Sequence, residues 1–234
     1  MALALFLTAG SVFAGEISFS PDFTVAHLRQ LARALGDALA FPNLTSAGSS
    51  GLLGFEILGV LGGAQVSEGE SWRRNSRGLD NSLGLLVAPR ILLRKGLPKT
   101  VDLGLQVGEL AGERFFGGEL RWTIFQGRVV LPAMAVVVSF TRFNQEVLDF
   151  RLGELKFLIS KGFVFMTPFV GLGVQGYKAE ALFGATTLSW HEATGQSAAA
   201  LAGVVFRPLP AFRIVAEAKK GFSTSYFVGF GVGL

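Results

Sequence analysis

The sequence VDLGLQVG, from Val101 to Gly108, alternates strictly between an apolar residue and a residue that is polar or glycine. A period of two puts the apolar side chains on one face of a β-strand and their neighbours on the other. The sequence FGGELRWTI, from Phe116 to Ile124, repeats the pattern. Short segments of this kind predict the strands of a transmembrane β-barrel, whose apolar face meets lipid while small or polar residues line the lumen.

Similar segments follow one another along most of the chain. They are residues 53–61, 83–93, 101–107, 116–124, 134–140, 148–159, 164–177, 197–208, 212–219 and 225–234. The segment 148–159 changes register in the middle, and a one-residue bulge near Gly153 and Glu154 would reconcile its halves. We therefore predict an all-β fold, an antiparallel transmembrane barrel of about ten strands, with about eight or twelve as alternatives.

The hydropathy of the chain would also suit a helical membrane protein. Hydrophobic residues make up 50% and charged residues 16% of the 234 residues, and the mean hydropathy is +0.48. However, the longest uncharged apolar stretch, Val129 to Phe140, contains Pro132 and is shorter than the roughly 18 residues that a spanning helix needs. Strands that cross a lipid bilayer must close into a barrel, because lipid cannot bond to an open sheet edge.

The absence of cysteine excludes a disulfide scaffold and a thiolate metal site. The net charge is +4 and the pI is about 9.7, but the lysines and arginines are scattered and form no basic stripe, which does not indicate a nucleic-acid partner. The glycines of Gly171-x-Gly173-x-x-Gly176 lie inside one predicted strand, where they cannot cradle a dinucleotide. We expect neither a cofactor nor a metal.

The N-terminal part divides into two predicted segments. Residues 1–14 have an apolar core and end in Ser11-Val12-Phe13-Ala14, which predicts a signal peptide cleaved after Ala14; the alternative is a first apolar strand. Residues 15–51 are predicted to be a periplasmic segment, and residues 52–234 the barrel. The sequon Asn43-Leu44-Thr45 is expected to occur there by chance.

An amphipathic helix is predicted at about residues 24–40, with Asp22 or Thr24 as its N-cap. Its apolar stripe consists of Leu28, Leu31, Ala32, Leu35 and Leu39. The other side carries Arg29, Gln30, Arg33 and Asp37. We expect Arg29, Arg33 and Asp37 to face the charged wall of the lumen, so that the helix acts as a partial plug. The alternative lays the apolar stripe on the periplasmic leaflet.

The predicted links between strands are short on one side of the sheet, at residues 95–98, 126–128, 160–162 and 208–210. The two longest links, 67–81 and 178–195, fall on the other side. Periplasmic turns are short in such barrels and extracellular loops are longer. An even strand number then predicts that both termini lie in the periplasm.

Charged residues on the alternate face are too few to coat the outside of a soluble barrel, and we expect them to pair across the lumen. These residues are Glu56, Arg90, Asp102, Glu119, Arg121, Arg213 and Glu217.

The two long links carry aromatic and basic residues, which are Trp72, Arg73, Arg74, Trp190 and His191. They predict either contacts with a ligand or a lipopolysaccharide phosphate, or anchors at the membrane interface. Ser189, His191 and Glu192 could form a hydrolase set, but residues two apart in a loop have no rigid element to align them. We therefore expect that the chain is not an enzyme.

The last residues, Gly229-Phe230-Gly231-Val232-Gly233-Leu234, resemble the C-terminal signal that the outer-membrane barrel assembly machinery reads. This copy ends in Leu234 instead of an aromatic residue and has Phe227 at the usual polar position. With Lys161-Gly162-Phe163 leading to 167–173, the chain from about residue 23 onward resembles bacterial outer-membrane barrels that carry an N-terminal helix. The resemblance implies this location and that machinery as a partner, and no particular activity.

Three functions fit these observations. The first is a narrow passive channel for a small solute or apolar ligand, partly plugged by the helix. The second is a closed structural barrel whose loops make surface contacts. The third is a lipid-modifying enzyme, for which outer-membrane lipid or lipopolysaccharide would be the substrate.

Overall fold

A computed structural model describes residues 17–66, 76–77, 84–128, 131–184, 187–209 and 211–233. The predicted signal peptide lies outside these residues. The described chain contains one helix, α1 (Val25–Ala38), and two groups of strands. A short pair, β1 (Ser18–Phe19) and β3 (Ser76–Arg77), forms an antiparallel sheet of its own.

Ten of the described strands form one closed antiparallel barrel, as the alternation predicted. In chain order they are β2 (Phe55–Gln65), β4 (Leu85–Leu97), β5 (Val101–Leu110), β6 (Glu113–Phe125), β7 (Ala133–Gln145), β8 (Leu148–Ser160), β9 (Met166–Phe183), β10 (Ser189–Leu209), β11 (Phe212–Lys220) and β12 (Thr224–Gly233). Each strand pairs with the next barrel strand in the chain, and β12 pairs with β2 to close the sheet. Closure leaves no free edge, which is what lipid requires.

Alternation along the strands separates an apolar outer face from a buried inner face. In β5, Leu105 is 52% exposed on the outside and its neighbour Gln106 is 1% exposed on the inside. Outward apolar side chains form a belt around the barrel, among them Leu61, Leu93, Val107, Phe116, Leu120, Trp122, Val138, Leu155, Leu172 and Val228. An apolar exterior around a closed sheet is the architecture of a transmembrane β-barrel of the bacterial outer membrane.

The belt ends in charged residues on β7, β8 and β9. Arg142, Arg151 and Lys178 are neighbours in register on the outer face, and the next row contains Asp149 and Glu180. Asp149 Oδ2 lies 2.6 Å from Arg151 Nη2, and Glu180 Oε1 lies 2.9 Å from Lys178 Nζ. These pairs mark the level at which the outer face of the barrel leaves lipid and enters water.

The helix α1 lies inside the barrel, where it contacts β2, β4, β9, β10 and β12. Thr24 is the N-cap, as one of the two predicted alternatives had it. Its Oγ1 accepts a hydrogen bond from His27 N at 3.4 Å, and His27 Nδ1 accepts one from Thr24 N at 3.2 Å. All five residues of the apolar stripe are fully buried: Leu28, Leu31, Ala32, Leu35 and Leu39. Within the part of the chain that the structure covers, no helix is long and apolar enough to cross a membrane.

The N-terminal segment enters the barrel at one end and leaves at the other. At the end that we call upper, Gln145 Nε2 donates to the carbonyl of Ile17 at 3.3 Å, and the rings of Phe23 and Phe183 are 4.9 Å apart. At the opposite, lower end, β2 begins and β12 ends with Gly233. The prediction that both ends of the chain lie on one side is therefore wrong for the described residues, and residues 17–50 are not a separate periplasmic segment.

Two further predictions fail in the upper half of the barrel, for the same reason. The strand β8 pairs with β7 and β9 without a register shift, so the bulge predicted near Gly153 is absent from this described strand. The segment 178–195 was predicted as a loop, but β9 continues to Phe183 and β10 begins at Ser189. Above the lipid, the outer face is polar and the inner face packs on α1, so the polarity of the alternation is reversed.

Candidate functional site in the barrel lumen

The lower half of the lumen is filled by residues 39–50, an irregular stretch that we call the lumen segment. It follows α1 directly and carries no regular secondary structure. Irregular backbone is tolerated at membrane depth only where protein groups satisfy its polar atoms. The wall of the barrel supplies those groups at successive levels of the segment.

At the top of the lumen segment, Arg90 of β4 binds the end of the helix. Its Nη2 donates to the carbonyl of Ala38, and its Nη1 donates to the carbonyl of Ala40 at 2.8 Å. The guanidinium lies 4.9 Å from the ring centre of Phe115 and 5.3 Å from that of Phe227. A cation at a helix C-terminus is stabilised by the helix dipole, and aromatic faces add cation–π attraction.

One step lower, both backbone groups of Phe41 are bonded to β8. Glu154 Oε2 accepts from Phe41 N at 2.9 Å, and Lys156 Nζ donates to Phe41 O at 2.6 Å. Glu154 also accepts from Ser139 Oγ at 3.0 Å and from Lys219 Nζ at 2.5 Å. This carboxylate therefore ties three strands of the wall to the lumen segment.

Asn43 is the centre of the network. Its backbone N donates to Glu217 Oε2 at 2.8 Å, and its side-chain Oδ1 accepts from Arg121 Nη2 at 2.5 Å. Its carbonyl accepts from Arg94 Nη2 at 3.2 Å. Asn43 is fully buried, so the sequon that begins at this residue is inaccessible in the folded barrel.

At the lower end, neutral groups and one more carboxylate hold the segment. Ala47 donates through its N to Ser160 Oγ at 2.8 Å, and its carbonyl accepts from Thr123 Oγ1 at 2.9 Å. Asp102 Oδ1 accepts from Ser50 N at 3.0 Å, close to the point where β2 begins. The segment is thus bonded to the wall over its whole length.

The charged wall residues also pair with one another. Arg94 Nη1 lies 3.1 Å from Glu56 Oε2, and its Nη2 lies 2.9 Å from Glu119 Oε1. Arg121 also approaches Glu119, at 3.3 Å, and Arg213 binds Glu56. Burial makes each partner essential, because removing one leaves a charge without compensation.

All seven charged residues predicted to face the lumen are buried inside the barrel. Sequence analysis missed four charged members of the same network, which are Arg94, Glu154, Lys156 and Lys219. The signal for Arg94 was present in the alternation of β4. The same signal was present for Lys156, which alternates with the outward Leu155 and Phe157. Glu154 was obscured because the bulge was predicted at this residue.

The expected contact of Arg29 and Arg33 with acidic wall residues is wrong. Both side chains are exposed at the upper end of the barrel. Asp37 is buried and accepts from Gln175 Nε2 at 2.9 Å and from Ser223 Oγ at 3.0 Å. The helix is held by its leucine stripe and by Asp37, while the acidic wall residues bind the lumen segment.

The residues predicted as loop contacts fall into two groups. Trp72, Arg73 and Arg74 lie outside the described residues. Trp190 and His191 belong to β10 and not to a loop; Trp190 is exposed on the outer face, and the His191 ring stacks on Phe183 with centroids 4.2 Å apart.

Ser189 and His191 are in hydrogen-bond contact, with Oγ and Nε2 2.9 Å apart. Glu192, the third member of the imagined hydrolase set, points to the other face of the strand. Its Oε2 lies 3.1 Å from Lys178 Nζ. The three residues therefore do not form a catalytic triad, because the carboxylate cannot orient the imidazole. Among the described residues, no group of acidic residues, histidines or cysteines could hold a metal ion.

A cavity of about 500 Å³ opens at the lower end, beneath the lumen segment. Its lining includes Ser49 and Ser50 of that segment, Thr167 of β9, Arg207 of β10 and Arg213 of β11. A solute that approaches the lumen segment from the lower side would enter this cavity.

No protein-family model matches this sequence, and no curated protein is significantly similar to it. Among solved structures, the N-terminal β-barrel domain of OprF from Pseudomonas aeruginosa is 14% identical, with a TM-score of 0.37 over 78% of this chain and 97% of that one. Ail of Yersinia pestis, in complex with the heparin analogue sucrose octasulfate, is 15% identical, with a TM-score of 0.39 over 77% and 98%. Neisserial surface protein A is 14% identical, with a TM-score of 0.32 over 76% and 94%. Values this low carry no information about the activity of this chain.

Proposed function

We propose that this chain is a self-plugged outer-membrane barrel whose resting state does not conduct. Its upper end faces the cell exterior and contacts the lipid headgroups of the outer leaflet. The observation that carries the proposal is the bonding of the lumen segment to the wall, from Ala40 to Ser50. A mobile plug would need a wall with which it makes few bonds. Here the buried charges of the wall are used to hold irregular backbone.

A passive channel fits these contacts less well than a closed barrel does. A conducting lumen needs polar side chains that face water, but Arg90, Glu154 and Arg121 are directed at the plug and are buried. Freeing the segment would leave several buried charges and backbone groups to be rehydrated at once. The closed state is therefore the stable one.

The upper end is proposed to face the cell exterior. The longest link among the barrel strands, between Gln65 and Leu85, lies at that end, and extracellular loops are the longer ones in such barrels. The charged row of Arg142, Arg151 and Lys178 would then meet the headgroups of the outer leaflet. Outer-membrane lipid, including lipopolysaccharide, is the partner that this exterior suits.

Two deletions test the proposal and identify the part of the N-terminal segment that closes the lumen. In planar bilayers, wild-type protein should give no stable openings. Deleting residues 17–50 should give discrete steps of conductance, because the barrel wall then encloses water. Deleting residues 17–37 should leave the lumen closed, because the lumen segment keeps its bonds to Glu154, Glu217 and Arg121.

Folding of each variant is checked by heat-modifiable mobility on gels before recording. Stable openings of the wild-type protein would contradict the closed state and favour the channel. Conductance after deletion of 17–37 equal to that after deletion of 17–50 would instead make α1 the plug, as the sequence analysis expected.

We further infer that the Ser189–His191 pair has no hydrolytic role, since Glu192 is paired with Lys178 on the opposite face. The wild type and Ser189→Ala are expressed separately in the same bacterial strain. The mass spectra of lipid A from the two cultures should be identical. A shift in lipid A mass that depends on Ser189 would support the enzyme hypothesis instead.

A further inference from the structure

The cavity at the lower end brings together arginines from two adjacent strands. Val205 faces Val215 across β10 and β11, and both side chains are buried in the lumen. Arg207 and Arg213 each lie two residues from these valines, on the same inward side of the two strands. The register of the two strands shifts immediately after Phe206. Both arginines line the cavity, and Arg128 from the turn after β6 lines it as well.

The acceptors around these arginines are fewer than their donors. Arg213 binds Glu56, but its Nε is buried without a hydrogen-bond partner among the described residues, and the residue is only 6% exposed. The Nε of Arg207 is likewise buried and unpartnered within the described chain. Glu56 is also shared with Arg94, whose Nη1 lies 3.1 Å away.

A buried donor without an acceptor, next to a second cation, is an unfavourable arrangement unless an anion completes it. Guanidinium groups present planar forks of donors that match the oxygens of phosphate and carboxylate. Neutral donors lie on the same lining. The Ser160 hydroxyl accepts from Ala47 N at 2.8 Å and so keeps its own proton to donate, and Thr167 lies beside it on β9.

We propose that this cavity is a binding site for a small oxyanion, held between Arg207 and Arg213 with hydroxyl donors from the neighbouring wall. Inorganic phosphate is the simplest ligand of this chemistry, and a small solute that carries a phosphate or carboxylate group would present the same oxygens. The site lies below the lumen segment and does not depend on whether the barrel conducts.

The test measures binding of radiolabelled inorganic phosphate to the folded full chain in detergent, by equilibrium dialysis at constant ionic strength. Wild-type protein should bind phosphate saturably, at one site per chain. Arg207→Gln should weaken binding about tenfold or more, since a hydrogen-bonded charge is lost. Arg151→Gln is the matched control, because Arg151 is exposed on the outer face and pairs with Asp149; it should bind as the wild type does.

Acetate should compete with phosphate, and chloride at the same concentration should not. Arg213→Gln is a second variant, read only if its heat-modifiable mobility shows a folded barrel, and it should also lose phosphate binding. The proposal is overturned if wild-type protein shows no saturable binding of phosphate, or if folded Arg207→Gln binds phosphate as tightly as wild type. It is also overturned if Arg151→Gln weakens binding as much as Arg207→Gln does, or if chloride competes as well as acetate.

Discussion

The guanidinium of Arg90 donates hydrogen bonds to the carbonyl oxygens of Ala38 and Ala40, at the point where the helix ends and the lumen segment begins. The last carbonyls of a helix have no partner within the helix. In water they would be solvated, but here they are enclosed by the barrel wall. Arg90 therefore links the fold of the N-terminal segment to that of the sheet.

Replacing Arg90 by Gln should lower the free energy of unfolding by about 2–3 kcal/mol, since charged hydrogen bonds to buried carbonyls are lost. The free energy of unfolding of Arg90→Lys should lie between those of Arg90→Gln and wild type, because lysine keeps the charge but cannot present the planar fork of donors. Urea titration of protein refolded in lipid vesicles, followed by gel mobility, measures the change. Arg114→Gln, at an exposed position of β6, is the control; an equal loss in both Gln variants would contradict the role assigned to Arg90.

Glu154 offers a stricter test of the bonding between plug and wall. Its carboxylate compensates Lys156 and Lys219 and accepts from Phe41 N. Glu154→Gln should lower the free energy of unfolding by about 3 kcal/mol, because two buried ammonium groups lose their counter-charge. The loss should persist in high salt, which screens exposed charges far more than buried ones. Glu113→Gln, at the exposed start of β6, should change the unfolding midpoint little. A Glu154→Gln effect abolished by salt would indicate a hydrated lumen.

The outer belt predicts where an added charge is harmful. Arginine in place of Leu105, which faces lipid, should cost about 2–4 kcal/mol, whereas arginine in place of Asn144, above the charged row on β7, should cost about 0–1 kcal/mol. Both sites point outward, so the pair differs in depth and not in face. Equal stability of the two variants in vesicles would show that Leu105 is not in contact with the acyl chains.

The part of the wall at lipid depth could be predicted from the sequence because lipid imposes a simple rule there. An outward position at lipid depth must be apolar, so the alternation of Leu105 with Gln106 identifies the face of each residue without any knowledge of the fold. The seven charged residues that this rule assigns to the lumen are buried in the structure.

The rule fails above the lipid, where no alternation distinguishes inside from outside. Phe150 and Leu152 of β8 face inward because α1 packs on them, while Asp149 and Arg151 face water. In this upper part the apolar residues face inward, as they do in a soluble barrel. Because the apolar residues of the same strand face outward at lipid depth, the change along the sequence resembles a shift of register. The sequence could not reveal it without the knowledge that the chain fills its own lumen.

The contacts of the lumen segment were also beyond sequence analysis. Wall residues such as Glu217 and Arg94 bind Asn43 through its backbone groups. Every residue has such groups, so they leave no pattern that could be read in advance. The helix was recognisable by its period, and the segment after it had no comparable signal.

The path of residues 17–50 through the lumen makes a prediction about topology that can be tested in intact cells. The chain contains no cysteine, so single cysteines can be introduced without background. Ser18 is exposed at the upper end, and Pro98 is exposed in the turn between β4 and β5 at the lower end. With the upper end outside the cell, Ser18→Cys should react with a membrane-impermeant maleimide on whole cells, and Pro98→Cys should react only after lysis. Labelling of Pro98→Cys alone on whole cells would reverse the orientation. Labelling of both variants only after lysis would place the start of the described chain in the periplasm, which would contradict the passage of residues 17–50 through the lumen.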